Sequence, residues 1–147
     1  MFLKEGMKIL VAYDGSSLAK KALNEAIGLA RTYGGSITAL HVDPFEPADS
    51  NRTVKEEKEH REGMLRALSR EIEPDLKKSK IQHELMSEHS DDVPGTIIET
   101  VSSGGFDLIA IGSRGLGRTK APLLGSVSRR VVTEATCDVL VIKSDSA

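Results

Sequence analysis

A doubly wound α/β sheet of about five parallel strands is the fold class this sequence predicts, on three observations. Short, nearly continuous apolar runs, MKILVAY (Met7 to Tyr13), FDLIAIG (Phe106 to Gly112) and DVLVIK (Asp138 to Lys143), have the composition of strands buried on both faces. Segments with apolar residues at helical spacing separate them. Gly, Ser, Asp and Pro punctuate the junctions. The resulting order, βαβαβαβαβ, calls for right-handed crossovers and helices on both faces of the sheet.

The first helix follows the first strand, with Leu18, Ala22, Leu23, Ala26, Ile27 and Ala30 on one face. The polar oxygens of DGSS cap its first amides and Gly34-Gly35 ends it. A second strand, SITALHVD (Ser36 to Asp43), leads into PFEPADSNRT, whose Pro, Asp and Ser content predicts a mobile surface loop. A second helix follows, with Leu65, Leu68, Ile72 and Leu76 inward. The mixed charges of KEEKEHRE (Lys55 to Glu62) form its solvated start. KIQHELMSE (Lys80 to Glu88) alternates as an edge strand does. A third helix, Val93 to Ser103, carries Pro94 in its first turn, turns Ile97, Ile98 and Val101 inward and stops at Gly104-Gly105. SVSRRVVTEA between the last two strands is the fourth helix.

A chain of 147 residues buries a sizeable core as one domain, taken as residues 1–147. Twenty Lys and Arg against 22 Asp and Glu leave a formal charge of -2, so there is no bulk basic footprint for nucleic acid. No run of 18 apolar residues and no signal-like start occurs, which predicts no membrane association. Cys137 stands alone and is expected as a small buried apolar residue. With no disulfide possible, the reading is a cytoplasmic protein.

The chemistry concentrates in GSRGLGRTKAPLLGSVS (Gly112 to Ser128). A Walker loop is excluded, because no pair of glycines four residues apart is followed by Lys and Ser or Thr. The dinucleotide fingerprint fails as well, since Lys120 stands where its third glycine belongs. What remains is Gly112, two residues, Gly115, nine residues, then Gly125-Ser126. Glycines there let main chain approach a ligand and permit positive φ. Gly125-Ser126 opens a helix whose free amides favour phosphate, with the hydroxyls of Ser126 and Ser128 as further donors and Arg114, Arg118 and Lys120 as added charge. Ligands of such sheets bind beyond the carboxyl ends of the strands, where Asp14 follows the first strand.

This glycine spacing, with the opening ILVAYDGSS, the second strand ALHVDP and the closing ATCDVLVIK, resembles the ATP-binding universal stress proteins over essentially the whole chain. The resemblance implies a Rossmann-like fold of the adenine nucleotide alpha hydrolase-like type with strand order 3-2-1-4-5, and a homodimer through antiparallel pairing of the last strands (Asp138 to Lys143). It implies a site for ATP, AMP or ADP. Asp14 matches the residue that meets the ribose, with Ala12 and Tyr13 beside it. Val42 matches the position whose main chain reads the adenine edge, and Ile111 the apolar wall beneath. Gly112, Arg114, Gly115, Gly125, Ser126, Val127 and Ser128 match the ribose and phosphate cradle. The role implied is a nucleotide-dependent sensor or switch in the stress response, with a protein partner of unknown identity.

A Mg²⁺ ion accompanying triphosphate would take one carboxylate, such as Asp14. His41, His60, His83 and His89 show no close ligand spacing, so no metal site is inferred from them. No catalytic constellation emerges, and at most slow hydrolysis is expected. Two alternatives stay open: a dimeric interaction module of the same fold that uses no nucleotide, and a true ATPase or phosphotransferase. The chain departs from the family pattern at Cys137-Asp138 and at EHSDDVPGT, where no ligand contacts are expected.

Overall fold

The computed structural model describes residues 5–115 and 124–144. The elements run β1 (Lys8–Ala12), α1 (Ser17–Tyr33), β2 (Ser36–Pro44), a 3₁₀ turn (Pro47–Asn51), α2 (Val54–Lys78), β3 (His83–Ser90), α3 (Val93–Gly104), β4 (Leu108–Gly112), α4 (Ser126–Glu134) and β5 (Asp138–Ile142). All pairings are parallel and the sheet order is β3-β2-β1-β4-β5, as expected from sequence.

Strand side chains alternate between two cores. Ile9, Val11, Ile37, Ala39, Leu108 and Ala110 face α1 and α2, whereas Leu10, Leu40, Ile109 and Ile111 face α3 and α4. The chain steps outward from β1 to β3 under one face, then crosses back to β4 and β5 under the other. Right-handed crossovers require that division of helices. The reversal leaves a crevice between the carboxyl ends of β1 and β4.

The punctuation holds, with refinements. Ser16 is the N-cap of α1, its side chain accepting from the Ala19 amide at 3.1 Å, and Gly34 ends the helix at φ 66°. Gly35 has a different reason to be glycine: a Cβ there would lie 2.5 Å from the Met7 carbonyl oxygen of β1. The loop after β2 is not irregular throughout. Its centre is a 3₁₀ turn in which Glu46 and Asp49 cap each other. β3 starts at His83 and runs to Ser90, later than expected, because Lys80 turns the chain at φ 58°.

Leu65 is 36% exposed and not part of the inner stripe of α2. That stripe passes through Glu57, His60, Met64, Leu68, Ile72 and Leu76, all more buried than Leu65. The first turns of α2 thus present polar groups to the sheet, and the mixed-charge start is not wholly solvated. Cys137 is half-buried beside the α3–α4 core, and burial pushes its thiol above the ordinary range.

Gly35→Ala is expected to lower stability by about 1–3 kcal/mol, because backbone of β1 cannot yield to the new methyl. Gly28→Ala, in the interior of α1 with open space around it, is expected to stabilise by about 0.4–1 kcal/mol. Urea unfolding of both variants checks the contrast.

Candidate functional site

The carboxyl end of β1 turns sharply at Gly15, which takes φ 86°, and carries Asp14 into the crevice. Asp14 Oδ1 accepts the Ser16 amide at 2.9 Å, so the cap of α1 belongs to Ser16 and the other Asp14 oxygen is left toward β4. A Cβ on Gly115 would stand 2.2 Å from that Oδ2. Gly115 is therefore needed for close approach to Asp14. Gly112 serves packing, since a Cβ there would meet the Leu18 Cβ of α1 at 2.8 Å. The expectation of positive φ at these two glycines is corrected: among the described residues, positive-φ glycines are 6, 15, 34 and 105.

Beyond β4, the backbone of Ser113 is held on both sides. Its N–H donates to the Ile142 carbonyl of β5 at 2.7 Å. Its carbonyl accepts from the Gly125 N–H at 2.7 Å and from the Ser128 hydroxyl at 2.7 Å. These bonds fix the start of α4 against the end of β4. A helix leaves its first amides without intrahelical partners, and Gly125, as N-cap, has no side chain to satisfy them. The amides of Ser126 and Val127 thus open α4 toward the crevice. Ser128 is 2% exposed and also bonds the Gly125 carbonyl at 3.2 Å, so its hydroxyl positions the loop instead of serving as the ligand donor expected from sequence.

A cavity of about 320 Å³ lies between these elements, at the lower end of the ~300–1,000 Å³ usual for small-molecule sites. All twelve residues singled out from sequence line it: Ala12, Tyr13, Asp14, Val42, Ile111, Gly112, Arg114, Gly115, Gly125, Ser126, Val127 and Ser128. Arg118 and Lys120 fall outside the described residues. Ser16, Ala19, Leu40, Val93 and Ile97 line it too. Val93 lies in the stretch where no contacts were expected. The helical pattern of α3 marks Ile97 as inward-facing, but only the crossover places this end of α3 over the crevice.

Two expected contacts change in character. The Tyr13 ring packs in the α1–α2 core, on the far side of the sheet, and its hydroxyl donates to Glu71 Oε1 at 2.7 Å. Burial, then the bond to Glu71, pushes its pKa up, so the phenol keeps its proton. Val42 offers more than a side chain. The Leu40 carbonyl accepts from Tyr13 N–H at 2.9 Å, and strand alternation directs the main-chain groups of Val42 to the same edge, past the last β1 residue paired with β2. No residue from 44 to 53 lines the cavity; Phe45, Asp49 and Arg52 line a separate surface depression with Glu57 and His89.

The walls formed by α3 and α4 are tied together. Both terminal guanidinium nitrogens of Arg130 donate to Asp92, at 2.5 and 3.2 Å, while Asp92 caps α3 through the Gly95 amide. The Arg130 bonds hold the Asp92 carboxyl below the usual carboxylate range. This pair is half-exposed, so it contributes alignment more than stability.

Set beside known proteins, the chain matches the universal stress protein family over residues 7–143. A universal stress protein of Thermus aquaticus, from the 3' region of a QAH/OAS sulfhydrylase gene, is 32% identical over 92% of this chain and 97% of its own. Among solved structures, the protein MJ0577 superposes with TM-score 0.82 at 23% identity, covering all of both chains. An Arabidopsis thaliana family member with AMP bound gives TM-score 0.68 at 19% identity, covering 95% of this chain and 93% of that one. Two further family members were solved with cAMP and, from Archaeoglobus fulgidus, with dAMP. They give TM-scores of 0.70 and 0.64 at 22% and 24% identity, covering 92% and 93% of this chain and 96% and 98% of theirs.

Ser128→Ala removes the hydroxyl that bridges the Ser113 and Gly125 carbonyls, and is expected to lower stability by about 1–2 kcal/mol. Guanidinium unfolding measures it; an unchanged midpoint would mean the bridge contributes nothing.

Proposed function

Since this chain belongs to the universal stress protein family, we propose that it binds an adenine nucleotide, ATP or its AMP and ADP relatives, in the cavity between β1 and β4. In this reading it acts as a nucleotide-dependent sensor or switch in the stress response and not as a dedicated enzyme. The observation that carries the reading is the glycine-capped start of α4, held open by the Ser113 backbone and facing a mostly apolar cavity. Free amides at a helix start favour phosphate. Val42, Ile111, Val93 and Ile97 supply an apolar slot for a purine, and the main-chain edge of Val42 supplies the hydrogen bonds that would distinguish adenine. In this reading Asp14, which lines the cavity, accepts from a ribose hydroxyl. If a triphosphate binds, Asp14 is also the carboxylate placed to support its Mg²⁺ through water. The AMP, dAMP and cAMP carried by family members of the same fold agree with this ligand class.

The chain purified without added nucleotide is expected to release adenine nucleotide on denaturation, identified by chromatography and mass. Ser126→Ala and Gly125→Val should weaken calorimetric ATP binding about tenfold or more, equal to ~1.4 kcal/mol. A Cβ at Gly125 meets only ordinary contacts, the nearest at 3.4 Å, and native circular dichroism of Gly125→Val checks that its two γ-methyls leave the fold in place. No released nucleotide, and no heat on adding ATP with Mg²⁺, would overturn the proposal.

Among the described residues, β5 pairs only with β4 and leaves an apolar outer edge, the kind that folded proteins cover. Antiparallel pairing of two such edges would make a homodimer. Light scattering is expected to give the mass of two chains, and a monomer mass at all concentrations would exclude it.

A further inference from the structure

A second cluster lies at the carboxyl ends of β2 and β3, on the α2 side of the sheet. Asp43 and His89 are register partners on these strands, so their side chains share a face. The inner stripe of α2 adds His60 above them. His60 Nε2 is 2.7 Å from Asp43 Oδ2, and His89 Nε2 is 3.8 Å from the same oxygen. The three ligand atoms lie within 4.8 Å of one another. His89 is 3% exposed, stacked on Phe45 at 4.9 Å between ring centres, while Asp43 and His60 are about a quarter exposed and open a path from solvent.

We propose that Asp43, His60 and His89 form a binding site for a first-row divalent metal ion, zinc first among them, separate from the cavity between β1 and β4.

Four features carry this. The donor set is two imidazole nitrogens and a carboxylate, which suits zinc and its neighbours and not the all-oxygen preference of Mg²⁺ or Ca²⁺. The ring of His89 is held at both nitrogens: its Nδ1 bonds Glu57 Oε1 at 2.5 Å, and its Nε2, bonded to Asp49 Oδ2 at 3.0 Å, lies 3.8 Å from Asp43 Oδ2. A carboxylate on the far ring nitrogen is the usual support for a ligating histidine. The separations bracket the roughly 3.4 Å between ligand atoms that tetrahedral bonds of ~2.1 Å demand, so side-chain adjustment alone closes the set. A fourth oxygen is at hand in Asp49, whose Oδ2 is 3.0 Å from His89 Nε2 and is fixed by the Glu46 amide at 2.7 Å.

Charge points the same way. Asp43, Asp49 and Glu57 converge on His89, and the cation paired with two of them is Arg52. It takes Asp49 Oδ1 and Glu57 Oε2, the oxygens turned away from His89. The three carboxylates therefore outnumber Arg52, and the excess of negative charge draws a cation to the imidazoles. Bound metal would lock the start of α2 and the 3₁₀ turn onto the sheet.

The test is titration of the full chain, stripped with chelator, with Co²⁺ followed by Zn²⁺, read by the visible absorption of bound Co²⁺ and its loss on displacement. One equivalent of Co²⁺ per chain, with the intense bands of a four-coordinate site, is expected. Asp43→Asn and His60→Ala, both at part-exposed positions and checked for native circular dichroism, should abolish the bands. Glu57→Gln should weaken binding about 10- to 100-fold. His83→Ala removes a histidine paired elsewhere, with Glu73, and should change nothing. Absence of a saturable Co²⁺ signal, or full binding by folded Asp43→Asn and His60→Ala, would overturn the proposal and leave the cluster a purely ionic clasp.

Discussion

The candidate site depends on the backbone of one residue. Ser113 is the first residue past β4, and its N–H is held by β5 while its carbonyl is held twice by the start of α4. Without the carbonyl bonds, α4 would be anchored by its packing and by the Arg130–Asp92 pair, neither of which reaches its first amides at the crevice. With them, the open amides are fixed against a rigid sheet. The choice of Gly125 as cap then matters as much as the bonds: Ser or Asp at that position would satisfy the same amides internally and close the helix start to any ligand.

The two faces of the sheet divide the work beyond the strand ends. On the α3–α4 face, apolar side chains and open main chain make a concave slot with few charges. On the α1–α2 face, Tyr13 pairs with Glu71, and the imidazoles pair with their carboxylates. Adjacent residues of one strand are sent to opposite sides by the pleat, so Val42 serves the slot and Asp43 the polar cluster. The division of labour is a consequence of strand geometry.

Much of this was legible in the sequence where the cause is local. The β1 and β4 runs, the Ser16 cap and the Gly34 stop follow from propensity and periodicity within a few residues. The lining of the cavity was legible through the family's glycine spacing. What local pattern could not reveal was why each glycine is there. Gly112 yields to Leu18, Gly115 to Asp14 and Gly35 to Met7, and each neighbour is distant in sequence. Nor could the histidines be read: Asp43 meets His89 only through the β2–β3 register, and His60 joins them only because the inner stripe of α2 passes through it and not through Leu65. Val93 was missed for the same reason, since its place at the cavity comes from the crossover of α3.

The most direct measurement of the central claim is a titration of the ¹⁵N-labelled chain with AMP, followed by two-dimensional amide NMR. The account predicts saturable shifts that are largest at the amides of Val42, Ser126 and Val127, with the amides of β3 and the first turns of α2 unmoved. Shifts confined to the exposed loop after β2, or none at saturating AMP and ATP, would contradict it.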